Sequence, residues 1–174
     1  MCKTKPFSER KRRIRDFSYS FQFKKQSDNF EKLWRMKSSA RVSLREWLIT
    51  IPYDQEKANI IANACSELIE NCIKYSVTNT YSCVDIYVIK RNIYIETLNY
   101  ADIAQITNLQ NSIKSIKIHY GNLTHLYIKN LENAAHSALS QLGLIKIIME
   151  TQGRLDFIKS LNRNLIHIRL KIEQ

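Results

Sequence analysis

The hydrophobic pattern changes from a helical period to a strand period midway along the chain, and this change constrains the fold most. Over residues 55–77 the apolar residues recur every three to four positions and fall on one side of a helix. Residues 83–89 and 92–98 then alternate apolar and polar side chains on either side of a short polar turn. This succession predicts a long amphipathic helix that packs on an antiparallel hairpin.

Both periods recur elsewhere in the chain. The further predicted elements are a strand at 17–23, helices at 29–50, 102–115, 122–137 and 139–150, and a second hairpin at 154–159 and 165–171. We expect helix 29–50 to break near Ser38 and Ser39, and helix 139–150 to end with Gly153 as its C-cap. Five strands with helices between them predict an α+β protein, a two-layer sandwich with helices on one face of a mostly antiparallel sheet.

Length and composition indicate the class of protein. The 174 residues suit one domain with a single core, and 44 % of them are hydrophobic. No apolar run approaches the ~18 residues that span a bilayer, and the N-terminus lacks the apolar centre of a signal peptide. The four cysteines form no CxxC pair, and Cys65 and Cys72 fit the buried side of a helix. We therefore expect a cytoplasmic protein without a membrane segment.

The positive charge is concentrated at the start of the chain. The first 25 residues hold nine basic and two acidic side chains, so they carry +7 of the net +11. We interpret residues 1–15 as a basic, partly disordered arm ahead of one domain at 16–174. Such an arm can also bind nucleic acid, anionic lipid or an acidic partner.

A row of three polar residues follows one side of the 55–77 helix. Glu67, Asn71 and Lys74 stand at i, i+4 and i+7, on the border of the apolar face. A carboxylate, an amide and an ammonium in this order can hold a magnesium ion and a polyphosphate, although a solvated helix can carry the same row without any site. Their border position favours a site, because residues that serve only solvation usually lie opposite the core.

With this row in place, residues 40–77 resemble the paired helices of the GHKL (Bergerat-fold) ATPases. The closest similarity is to the anti-sigma-factor serine kinase branch and SiaB-type regulators, which carry the pattern Glu-x-x-x-Asn-x-x-(Lys/His). The resemblance covers about residues 16–172. It implies the histidine kinase-like ATPase fold, with ATP and Mg²⁺ as cofactors.

The resemblance also implies a role for each matching position. Asn71 would ligate magnesium between the ATP phosphates, Glu67 would act as general base, and Lys74 would approach phosphate. Asn99 is the best match to the adenine-reading aspartate, and Gly143 matches the end of a Gly-x-Gly-Leu-Gly-Leu motif. The other glycines of both motifs are replaced in this chain.

Three functions follow from these observations. The resemblance implies an ATP-binding signalling regulator, with protein serine kinase activity on a small partner of the STAS (anti-sigma-antagonist) type or on a sigma-like factor. The loss of the motif glycines favours an alternative, a non-catalytic pseudo-ATPase that binds such a partner. The third is a nucleic-acid binder that uses the basic arm and the aromatic residues of strand 17–23, which we favour least. The sequence also allows a homodimer.

Overall fold

The computed structural model describes residues 17–26, 29–51, 53–134, 141–159 and 164–173. The predicted basic arm, the end of the predicted helix 122–137 and the start of the predicted helix 139–150 lie outside these residues. The elements are β1 (Phe17–Lys24), α1 (Phe30–Ile49), α2 (Gln55–Tyr75), β2 (Tyr81–Ile89), β3 (Asn92–Tyr100), α3 (Ile103–Ile118), a 3₁₀ turn (Tyr120–Asn122), α4 (Leu123–Ala134), α5 (Gln141–Thr151), β4 (Arg154–Lys159) and β5 (Leu165–Ile172).

The strands form one antiparallel sheet in the order β1-β2-β3-β5-β4. Its two central ladders join β3 to β2 and to β5, so that Glu96 lies opposite Asp85 on one side and Arg169 on the other. Because side chains alternate along a strand, Glu96 and its neighbour Thr97 face opposite sides of the sheet. The predicted α+β class is confirmed.

The hydrophobic core lies between the helices and one face of the sheet. The inward residues of α2, among them Ile61, Leu68 and Ile73, pack with Ile86 and Ile95 of the central strands, and each is 1 % exposed or less. Cys65 and Cys72 are buried in this layer, as the sequence predicts. Within the described part of the chain, no helix has the length and apolar character that crossing a membrane requires.

Three of the four aromatic residues of β1 belong to this core, whereas Phe17 is exposed. Phe23 is buried, while Tyr19 and Phe21 pack against the core from partly buried positions. The Tyr19 ring centroid lies 5.7 Å from that of Trp47 on α1. Tyr19, Phe21 and Phe23 are therefore engaged in packing rather than available to stack on nucleic-acid bases.

Local side-chain chemistry sets the ends of the central helix. The Asp54 carboxylate accepts a hydrogen bond from the Lys57 backbone N–H at 2.7 Å, which caps the start of α2. At the other end Ser76 is extended, and Lys25 Nζ donates to the carbonyl oxygens of Lys74 and Ser76 at 3.1 and 2.8 Å. The helix thus ends at Tyr75, two residues before the predicted position of 77. Lys25, which follows β1, binds the carbonyl groups at this end.

Two local predictions are wrong. Helix α1 runs without a break through Ser38, whose hydroxyl donates to the Trp34 carbonyl one turn earlier and so stays compatible with the helix. After α5 the left-handed residue is Gln152, with φ of 51°, and not Gly153. Gly153 is needed for space instead, since a Cβ there would lie 2.9 Å from the Lys171 carbonyl oxygen.

Candidate functional site

A cavity of about 420 Å³ opens between α2, β3 and the helices that follow the first hairpin. Apolar side chains, including Leu68, Leu144, Ile166 and Ile168, form part of its wall. The rest of the lining is rich in amides: Asn71, Asn99, Gln105, Asn108, Asn111 and Asn130. None of the described residues that line the cavity carries a formal charge. The cavity therefore suits an uncharged, hydrogen-bonding group of the size of a nucleobase or nucleoside.

The structure brings two of the predicted site residues to this cavity. Asn71 lines it from α2, where its side chain is partly exposed. Asn99 lines it from the end of β3, where it is only 4 % exposed. The chain positions differ by 28, so their meeting depends on the packing of α2 on the sheet. The roles of Asn71 as a magnesium ligand and Asn99 as a base-reading residue stay predictions from the resemblance.

A buried thiol contacts Asn99 in the wall of the cavity. Cys72 Sγ lies 3.8 Å from Asn99 Oδ1, and both residues line the cavity. Burial raises the pKa of the Cys72 thiol to about 12, although a hydrogen bond with Thr97 acts in the opposite direction. The thiol is therefore protonated at neutral pH and is the donor to the Asn99 oxygen.

Glu67 lies beside the cavity rather than in its lining. A Cβ on Gly143 would be 3.3 Å from Glu67 Oε2, so the carboxylate packs against the first turn of α5. The flanking residues Leu142 and Leu144 line the cavity, while Gly143 does not. Gly143 thus permits the close approach of α5 to Glu67. A contact of Gly143 with phosphate stays a prediction from the resemblance.

Lys74 lies near Asn71 on α2, but it does not line the cavity. Its Nζ is 2.5 Å from Glu70 Oε1, and Glu70 also accepts a hydrogen bond from Lys37 of α1. Burial would raise the pKa of Glu70, but the two lysines outweigh it and lower that pKa. Lys37 and Lys74 also lie near the Trp34 ring, at 4.7 and 5.9 Å from its centroid. The predicted row is therefore divided, with Asn71 at the cavity and Lys74 in a pair with Glu70.

The described residues fit Mg²⁺ only as part of a nucleotide complex. They contain no group of three or more His, Cys, Asp or Glu side chains that could hold a metal ion by itself. Asn71 offers one amide oxygen, a hard ligand, at the cavity. Mg²⁺ commonly takes one or two protein ligands and completes its octahedron with phosphate oxygens and water. Asn71 can supply that single protein ligand.

The sequence prediction missed a second polar site on the opposite face of the sheet. The Glu96 carboxylate accepts hydrogen bonds from Tyr87 Oη at 2.6 Å and Arg169 Nε at 2.6 Å, and it lies 3.0 Å from His167 Nε2. Its side chain is 4 % exposed. Burial alone would raise the pKa of Glu96, but the bonds from His167, Tyr87 and Arg169 bring it to about 2.

Most of the cavity amides were missed as well. The stretch from Asn99 to Asn130 is visibly rich in Asn, and helix α3 contributes Gln105, Asn108 and Asn111 on the side that meets the cavity. This density of amides was a signal in the sequence. The polar residues Glu96 and His167 within otherwise apolar strands were a second signal, because a charge inside a buried strand needs a partner.

Fold and site together define a class: an α+β two-layer sandwich with an amide-lined cavity between its central helix and its sheet. No family model matches the chain, and no curated protein matches it. Among solved structures, it is similar to a chain in the crystal structure of the SiaB-SiaC complex from Pseudomonas aeruginosa, with 15 % sequence identity and a TM-score of 0.61 over 88 % of each chain. At this identity the likeness concerns the fold, and it agrees with the SiaB-type part of the resemblance.

Proposed function

We propose that this chain is a nucleotide-binding regulator that acts on a small partner protein. The observation that carries the proposal is the convergence of Asn71 and Asn99 on one cavity from two separate elements. The similar structure is a complex of two proteins, SiaB and SiaC, which supports a partner-binding role. From the resemblance, the partner is a small regulatory protein of the STAS type or a sigma-like factor.

The cavity divides the nucleotide into an uncharged and a charged part. A purine and its sugar fit the amide-lined, apolar-walled interior, where no described residue carries a charge. The phosphates would lie toward Asn71 and Glu67, and Asn71 would hold the Mg²⁺ that offsets their charge. ATP is the nucleotide that the resemblance implies.

Nucleotide titration tests this proposal. We expect purine nucleoside triphosphates to raise the melting temperature of the full chain when Mg²⁺ is present, because a ligand that binds only the folded state stabilises it. Asn71→Ala should weaken Mg²⁺-dependent binding by about tenfold or more. Asn63→Ala is the matched control, since Asn63 is exposed on the same helix and bonds Arg41 at 3.0 Å away from the cavity. The proposal fails if no purine nucleotide binds at millimolar concentration.

Phosphoryl transfer is the catalytic form of this function. The partner's hydroxyl oxygen would attack the γ-phosphorus, Glu67 would accept the hydroxyl proton, and ADP would leave. In that case Glu67→Gln keeps nucleotide binding but stops ADP formation, while Glu56→Gln, at an exposed position in the first turn of the same helix, changes neither.

A non-catalytic regulator is the second candidate. It is favoured by the pairing of Lys74 with Glu70, which leaves the described cavity lining without a cation for phosphate. Such a protein would bind nucleotide and partner without forming ADP. Wild-type protein that binds nucleotide, yet makes no ADP with or without its partner, would support this candidate over the kinase.

A further inference from the structure

The orientation of the Asn99 amide determines which purine the cavity can accept. We infer that Asn99 turns its NH₂ group toward the ligand, so that the site prefers a 6-oxopurine (guanine or hypoxanthine) to adenine. The inference rests on the nucleotide site proposed above and specifies the base that this site reads.

The Asn99 oxygen is already engaged within the protein. Its Oδ1 accepts from the Cys72 thiol at 3.8 Å, and the residue is 4 % exposed, so the amide has little freedom to rotate. The thiol is the donor in this contact because an amide oxygen can only accept. An amide is planar, and its oxygen and nitrogen point in different directions from one carbon. With the oxygen directed at Cys72, the nitrogen is left for the cavity.

The two kinds of purine present opposite groups at carbon 6. Adenine carries an amino donor there, whereas guanine and hypoxanthine carry a carbonyl acceptor. A carboxylate at position 99 would accept from the adenine amino group, but the Asn99 nitrogen is itself a donor. Two donors that face each other in a closed site each lose a hydrogen bond to water and gain none.

No described residue of the lining is a carboxylate that could take that role. All described lining residues are uncharged, and next to Asn99 the cavity is bounded by Thr97, Ile166 and Ile168. The isoleucines can pack on a base without regard to its identity. The Thr97 hydroxyl can both donate and accept, so it can bond N1 of either kind of purine. Discrimination between the bases therefore rests on the Asn99 amide.

The sharpest test compares ITP with ATP, which differ only in the groups at carbon 6 and N1. Calorimetric titration of the full chain with Mg²⁺ should show ITP bound about tenfold or more tightly than ATP, with GTP close to ITP. Inosine and adenosine, which lack phosphates, should show the same order. Binding of ATP as tight as or tighter than that of ITP would overturn the inference while leaving the nucleotide site intact. Absence of binding by every one of these probes would overturn the proposed function together with it.

Three variants locate the preference. Asn99→Asp should reverse the order in favour of ATP. Cys72→Ser keeps a donor to Asn99 Oδ1 and should keep the preference, whereas Cys72→Ala removes the donor and should bring the ITP-to-ATP ratio toward one. If Asn99→Asp does not fold by circular dichroism, the wild-type ratio and the Cys72 pair decide. A full preference in Cys72→Ala would show that Cys72 does not orient the amide.

Discussion

Strand β3 carries two polar sites on its opposite faces, and they differ in how completely the protein satisfies them. On the face of the sheet opposite the cavity, here called the open face, the Glu96 carboxylate lies within 3.0 Å of its partners Tyr87, His167 and Arg169. On the helix face, Asn99 meets the weak donor of Cys72 at 3.8 Å and borders a cavity. Both side chains are 4 % exposed, so burial alone does not separate them.

The two sites differ in the hydrogen-bonding groups that remain available to a ligand. A buried carboxylate is stable only when donors surround it, and the two neighbouring strands β2 and β5 supply them to Glu96. The Asn99 amide is neutral, so the fold tolerates incomplete bonding of its groups at a smaller cost. We therefore assign the open-face network to stability and the helix-face cavity to binding. Each prediction below tests that assignment.

The largest effect should come from Glu96→Gln. Removing the charge leaves Arg169 without its buried partner, so we expect a loss of about 3 kcal/mol in the free energy of unfolding at pH 7. Because the pKa of Glu96 falls from its ordinary 4.5 to about 2 in the folded state, its contribution is present above pH 4.5 and is lost as the pH falls toward 2. Urea unfolding at pH 7 and pH 3 should show this loss in wild type and a much smaller pH dependence in the variant.

Asn99→Ala is the control on the same strand. It removes one weak contact to Cys72, so we expect about 1 kcal/mol or less, together with weaker nucleotide binding. If Asn99→Ala destabilises the protein as much as Glu96→Gln does, the cavity side of β3 is as structural as the open face. The assignment of the two faces would then be wrong.

Helices and strands could be predicted from the sequence wherever one hydrophobic period, helical or strand-like, dominated a segment. The amphipathic α2, the first hairpin and the closing hairpin all lie within two residues of their predicted ends, because period and turn chemistry act locally. Helix phase also put Asn71 on the border of the core. Helix phase does not predict the direction in which a long side chain extends from the helix. Lys74 shares that border, but its ammonium reaches the Glu70 carboxylate one turn earlier, and that choice depends on Lys37 from another helix.

The open-face network was not predicted for a related reason. Glu96 and Arg169 are 73 positions apart, and only the β3–β5 register places them opposite each other. Strand alternation could show that Glu96 lies on the same face as its strand neighbours at 94 and 98. It could not show which residues of β5 would face it, since pairing between distant strands is set by the whole sheet.

The β2–β3 turn sets the register that places the polar residues of β3 on their two faces. Substitutions in this turn should change the stability of the protein by an intermediate amount. Lys90 and Arg91 both have positive φ, 49° and 69°, in a two-residue connection that favours Asn-Gly. The double substitution Lys90→Asn with Arg91→Gly should stabilise the protein by about 1 kcal/mol, because it relieves left-handed strain at both positions. Thermal unfolding measures the gain.

The matched control for the turn is Arg91→Val. A β-branched residue is poorly suited to positive φ, so this change should lower the melting temperature while the Asn-Gly turn raises it. A one-residue shift in the hairpin would exchange the faces of Glu96 and Thr97. If both turn variants shift the melting temperature by the same amount in the same direction, the β3–β5 ladder holds the register and this turn does not.

The smallest effect should come from Asp156→Asn at the edge of the sheet. Asp156 pairs with Lys117 of α3 at 3.0 Å, but the side chains are 55 % and 56 % exposed. An exposed ion pair contributes about 0.5 kcal/mol or less, and added salt should reduce even that. Asp156 also lies opposite Arg169 in the β4–β5 register, so it belongs to the same face as Glu96. Urea unfolding of the two variants side by side therefore compares two carboxylates near one arginine that differ in burial. A loss in Asp156→Asn as large as that in Glu96→Gln would mean that charge on this face, and not the closed bonding around Glu96, stabilises the sheet.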